Sequence, residues 1–139
     1  MGVEFTVGSQ SLHATALGMC YLAGNVNNHN VFLCTINGQG GNIATTIISA
    51  SVPSSGTVGQ ITYTAISPTA LAANTTYVIL ADFLDVADNF YNIMTPTITG
   101  AGTIYGSLAS FTSSSPFSVA GAGNNGAMYG PVSFQYTIP

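Results

Sequence analysis

Asp82, Asp85 and Asp88 hold three of the four acidic side chains of this 139-residue chain, all within one short stretch. Carboxylates this close together are the raw material of a hard-cation site. Ca²⁺ takes several oxygen ligands at about 2.3–2.6 Å, and a loop here supplies carboxylates and carbonyls. The spacing does not match the EF-hand pattern. A solvated loop after a core strand accounts for the same residues, so both readings stand, and Ca²⁺ is the one cofactor for which the sequence offers ligands. Hydrolysis of a glycosidic bond needs carboxylates on opposing walls of a cleft, which one short loop does not provide.

The histidines offer less. His29 sits among Asn27, Asn28 and Asn30, and the second histidine, His13, belongs to a different segment. A zinc site needs further His, Cys or acidic ligands close by. His29 therefore reads as a loop-to-strand hydrogen bond, and His13 as a residue on a solvent face beside Thr15. Serine is abundant, but Gly-x-Ser-x-Gly does not occur, so no strained nucleophile turn is present. The chain has no Lys and no Arg. Schiff-base chemistry and a cationic clamp on an oxyanion or phosphate are therefore excluded. The Gly-rich stretches lead into no helix and are not phosphate loops. The sequence reads as a non-enzyme. Tyr21, Tyr63, Tyr77, Tyr91, Tyr105, Tyr129 and Tyr136 offer rings for stacking on sugars, but most fit better as core or interface residues with a wet hydroxyl. Asn74-Thr75-Thr76 matches a glycosylation sequon and is more simply a turn into a strand.

Composition narrows the partners. Charged residues make up 3 % of the chain and hydrophobic residues 47 %, against about 25 % charged in ordinary domains. The apolar content rules out a disordered polar tract, and a chain of this size buries roughly two-thirds of its unfolded surface. A single domain over residues 1–139 follows. With no side-chain cation, nucleic-acid phosphates and anionic headgroups find nothing to neutralise them. No run of about 18 apolar residues is present for a membrane-crossing helix, and no basic-then-apolar leader precedes the first strand.

The elements that position these residues are strands. Val3, Phe5 and Val7 alternate with polar neighbours, and Val132, Phe134, Tyr136 and Ile138 do the same at the other end. Between them, strands are predicted over 12–22, 31–36, 43–52, 60–66 and 75–83. Gly18 marks a bulge or close approach, and Asn37-Gly38 a hairpin turn. Pro68 breaks the fifth run, because it gives no N–H to a ladder. Thr75 to Leu80 is apolar on both faces, as a strand covered on both sides should be. Residues 97–110 read as one irregular strand interrupted by glycines, and residues 113–130 as a long loop. The predicted fold is all-β, a single antiparallel β-sandwich of jelly-roll or immunoglobulin-like type with about eight strands. Cys20 and Cys34 fall on successive strands. A disulfide between them and a pair of buried thiols are both open.

Several pieces, taken in order, resemble a bacterial secreted β-sandwich domain of unknown function found in proteins with a PEP-type C-terminal sorting tail (PEP-CTERM). They are Glu4-Phe5-Thr6-Val7, Thr15-Ala16-Leu17-Gly18, His29-Asn30-Val31, Ala65-Ile66-Ser67-Pro68, Leu71 to Ile79, Tyr129-Gly130-Pro131 and Phe134-Gln135-Tyr136. The resemblance implies export and an extracellular or cell-surface life, with Ile138-Pro139 where a sorting tail would begin. It brings no catalytic residues. The chain departs from it in lacking basic residues and in carrying Cys20 and Cys34. The function expected is structural: self-assembly into a filament, sheath or biofilm matrix layer as a homo-oligomer or polymer. Val3, Phe5, Val7, Val132, Phe134, Tyr136 and Ile138, on the terminal strands, are the candidate assembly residues. The alternative is an extracellular polysaccharide-binding module or adhesin.

Overall fold

The computed structural model describes residues 2–37, 43–82, 88–89, 102–109, 120–122 and 132–139. Among these lie nine strands: β1 (Gly2–Val7), β2 (Leu12–Cys20), β3 (His29–Ile36), β4 (Ile43–Val52), β5 (Ile61–Leu71), β6 (Thr76–Ala81), β7 (Gly102–Ala109), β8 (Ala120–Ala122) and β9 (Val132–Thr137). They form two sheets, one of six strands in the order β4-β3-β6-β1-β7-β8 and one of three in the order β5-β2-β9. Every pairing is antiparallel. The protein is an all-β sandwich. No helix among the described residues is long and apolar enough to cross a membrane.

Alternation builds the inner layer. Val3, Phe5 and Val7 of β1, Val31 and Leu33 of β3, and Tyr77, Ile79 and Ala81 of β6 share one core with Leu12, Ala14, Leu17 and Met19 of β2. Period-2 geometry puts these residues on the facing sides of the two sheets. Phe5 and Phe134 close the sandwich across the layers, with ring centroids 5.0 Å apart, and Tyr77 and Tyr136 extend the cluster. On the opposite face of the larger sheet, Cys34, Ile43, Val78 and Leu80 form a second buried cluster with Phe32 and Ile36 against it. β6 lies between β3 and β1 and is buried on both faces, which is why its sequence shows no polar side.

Three points of the sequence reading are decided by this topology. First, the N-terminal strand, offered as a candidate for assembly, is interior to its sheet. β1 lies between β6 and β7, and Val3, Phe5 and Val7 are core residues. β9 has β2 as its one neighbour among the described residues, but Val132, Phe134 and Tyr136 pack inward against the same core. Their apolar parity reflects the inner face, so of the candidate assembly residues only Ile138, 55 % exposed, stands outward. Second, Cys20 and Cys34 are not bridged. β2 pairs with β5 and β9, whereas β3 pairs with β4 and β6. The two thiols lie on different sheets, and sheet layers stand about 10 Å apart, beyond the Cα separation of roughly 4.4–6.8 Å that a disulfide needs. Both are free and buried. Third, β5 runs through Pro68 to Leu71. Its register jumps from Ala14↔Thr69 to Ala16↔Ala65, so Ile66, Ser67 and Pro68 together face Thr15. A bulge of this kind is where a strand tolerates a missing N–H.

Smaller differences follow. β7 runs unbroken through Gly106, with a register shift where it meets Glu4 and Phe5. A three-residue strand, β8, lies within the stretch read as loop. Residues 38–41 of the Asn-Gly turn, Phe83, Asp85, Tyr91, Tyr129 and the remainder of 113–130 lie outside the described residues. Gly18 is a close approach rather than a bulge: a Cβ there would stand 2.5 Å from Cδ1 of Tyr63. Asn74 takes a φ of 54°, in the left-handed region where Asn is favoured over other side chains. Its N–H reaches the carbonyls of Val7 and Gly8, as a turn into β6 requires.

Candidate functional site

The polar stretch before β3 and the aspartates after β6 come together at one end of the sandwich. His29 opens β3 with the parity of Val31 and Leu33, so its ring points inward and is completely buried. Its Nδ1 lies 2.7 Å from the carbonyl oxygen of Asp82, and its Nε2 3.1 Å from Oδ2 of Asp88. A carbonyl and a carboxylate both only accept. Each ring nitrogen therefore faces an acceptor.

Asp88 is the hub. Its Oδ2 accepts the Asn27 backbone N–H at 2.9 Å, and its Oδ1 accepts the Asn27 side-chain amide at 3.1 Å. The Val26 N–H lies 3.2 and 3.3 Å from the two oxygens. Its side chain is only 4 % exposed. Burial opposes ionisation of this carboxyl, but the N–H groups of Asn27 and Val26, the His29 ring and the Asn27 amide outweigh it and hold it below the usual carboxylate range. Asp82 works separately: its Oδ1 accepts the Asn30 N–H at 2.9 Å and its Oδ2 the Asn30 side-chain amide at 3.0 Å. Asn25 completes the join, donating to the Asn89 carbonyl at 2.8 Å and accepting the Asn89 N–H at 2.7 Å. Ser54 donates to the Asn27 carbonyl from the loop after β4.

This geometry answers the cation question for the residues it covers. Asp82 and Asp88 bracket one imidazole instead of facing each other, and all four of their carboxylate oxygens already accept N–H donors. A cation would have to displace those donors. Asp85, the third candidate ligand, lies outside the described residues. Among the described residues no three His, Cys, Asp or Glu side chains gather as a metal would need. The loop-to-strand role of His29 holds. The sequence does not show the link between His29 and the aspartates; the inner-face parity of His29 with Val31 is the signal that it is buried and needs partners.

The remaining candidates are scattered. His13 and Thr15 are half-buried on one face of β2. Burial pushes the Cys20 thiol up, and burial also pushes up that of Cys34, partly opposed by a hydrogen bond with Thr46. Neither thiol is poised as a nucleophile. Tyr77 is in the core, with its hydroxyl oxygen accepting the Ala72 N–H at 2.9 Å. Tyr63 lies across the outer surface of the three-stranded sheet. No protein-family model, curated protein or solved structure matches the chain.

Proposed function

We propose that the chain is a structural β-sandwich that associates with copies of itself, not a catalyst, and that it works outside the cell or at its surface. The observation that carries this reading is the near absence of exposed charge. No Lys or Arg is present. Glu4 is 2 % exposed, and the Asp88 and Asp82 side chains are 4 % and 32 % exposed. The described surface is therefore mostly hydroxyl, amide and apolar groups. Contacts between copies of such a surface rest on apolar and hydrogen-bonding groups, since ion pairs between Asp or Glu and Lys or Arg cannot form.

The arrangement of exposed apolar residues supports the same reading. Val26 and Val58, 79 % and 56 % exposed, sit on loops at the His29 end of the sandwich, and Ile138 extends from the other end. Contacts of this kind, with the side of β9 that has no partner strand among the described residues, rest on apolar burial and backbone hydrogen bonding. They should ignore salt, because screening acts on charges. The test is electron microscopy and light scattering of the native protein from low to molar NaCl. Ordered polymers at every salt concentration are the expected result. Dissolution to monomers by salt alone, or monomers under all native conditions, overturns the proposal.

A further inference from the structure

The outer face of the three-stranded sheet carries an unusual arrangement. Gly18 of β2 pairs with Tyr63 on one side and with Ser133 on the other. The Tyr63 ring reaches across β2 above Gly18, so close that a Cβ at Gly18 would meet Cδ1 at 2.5 Å and Cε1 at 2.6 Å. Its hydroxyl shares a hydrogen bond of 3.0 Å with the Ser133 hydroxyl on β9. The ring is thus fixed at both ends, yet 37 % of the residue stays exposed. Beside it, Gln135 and Thr137 are exposed on the same face as Ser133, and His13 pairs with Thr137. Alternate residues of a strand are about 7 Å apart, so Ser133, Gln135 and Thr137 make a line of hydrogen-bonding groups roughly 13 Å long.

We infer that this strip binds an extended, uncharged polysaccharide chain, with Tyr63 as the stacking platform and Gln135 and Thr137 as hydrogen-bonding partners. A preorganised ring costs little ordering on binding, and an aromatic face stacks on the C–H surface of a sugar while its rim stays polar. Carboxylate or sulfate groups find no Lys or Arg anywhere in the chain, which selects a neutral ligand. A second protein copy fits this face less well. Protein interfaces centre on clustered apolar anchors, whereas here Tyr63 is flanked on its own strand by half-buried Ile61 and by Ala65, and the rest of the strip is hydroxyls and amides. The inference does not depend on the assembly reading, and it concerns the outer face of the three-stranded sheet and not the edge of β9.

The test is native affinity electrophoresis in gels containing hydroxyethylcellulose, galactomannan or dextran, with alginate as the anionic control. Retardation by at least one neutral polymer, and none by alginate, is expected. Tyr63→Ala should weaken the binding about tenfold, the scale of one aromatic stacking contact. Ala65→Gln, which places a long side chain beside the ring at an exposed site, should weaken it while leaving the core intact. No retardation by any neutral polymer, or by alginate alone, overturns the inference. So does undiminished binding by Tyr63→Ala with its melting temperature preserved. If Tyr63→Ala does not fold, Ala65→Gln decides, and unchanged binding there rejects the site. Loss of polymers in either variant without any polysaccharide binding marks the face as a copy-to-copy contact and also rejects it. Polymers without binding reject this inference alone, and binding without polymers rejects only the assembly reading.

Discussion

Replacing Phe134 by Ala separates the two roles that β9 could have. Phe134 stacks against Phe5 at 5.0 Å and against Tyr136 at 5.9 Å. It is part-buried and packs on the shared core. Truncating a fully buried Phe costs about 3–5 kcal/mol through lost transfer energy and the cavity left behind. Partial burial places Phe134 near the lower end, about 3 kcal/mol, of which each ring pair contributes roughly 0.5–1.5 kcal/mol. A domain of this size holds only about 5–15 kcal/mol in total. At roughly 3–4 °C per kcal/mol, the melting temperature should fall by about 10 °C. Urea unfolding followed by circular dichroism measures the change directly, with the slope unchanged and the midpoint lowered. Ile138→Ala, beyond the strand and half-exposed, is the control, with a change within about 0.5 kcal/mol. If β9 were instead an outward docking strand, Phe134→Ala would abolish polymers and leave the unfolding midpoint where it was. That result would refute the inner-face placement of the C-terminal strand.

The cysteines and the His29 join give two further tests. Cys20 and Cys34 should react with Ellman's reagent at pH 8 only once the protein is unfolded, and reductant should leave the mass unchanged; a mass change on reduction would contradict their separate sheets. Asp88 has a folded pKa below the unfolded value of about 3.9. Its contribution to stability is therefore fully present above roughly pH 4 and is lost as the pH falls through the depressed folded value. Melting temperature measured from pH 7 down to pH 2 should drop in that acid window, and Asp88→Asn should flatten the drop. Identical profiles for the two proteins would remove Asp88 from the account.

Local features were readable in the sequence because local chemistry decides them. Alternation gave the strands, the two-sided apolar run marked the interior strand β6, and Gly18 marked a close approach. What could not be read was which strands share a sheet. Successive strands β2 and β3 look alike whether they pair or cross between layers, and that choice settled the cysteines; β1 takes its place from β6 and β7, distant parts of the chain that pair on either side of it. Pro68 misled for a related reason. Its effect on a ladder depends on the partner's register, and Thr15 opposite a three-residue bulge is information held by β2, not by β5. His29 was legible as a hydrogen-bonding residue, but its partners arrive from more than fifty positions away.

β1 and β9 run in the same direction on opposite layers. The turn after Val7 leads into Leu12, and Thr137 pairs with His13 beside it, while Gly2 pairs with Leu80 at the far end. The chain therefore leaves the sandwich at opposite poles. Tension applied through the two ends runs along the strands, not across them. β1 is gripped by ladders on both sides, so pulling on Gly2 loads many backbone hydrogen bonds at once in shear instead of peeling them off one after another. A layer or fibre built from such units would carry load along its strand axis and would yield first at β9, which is held by a single ladder among the described residues.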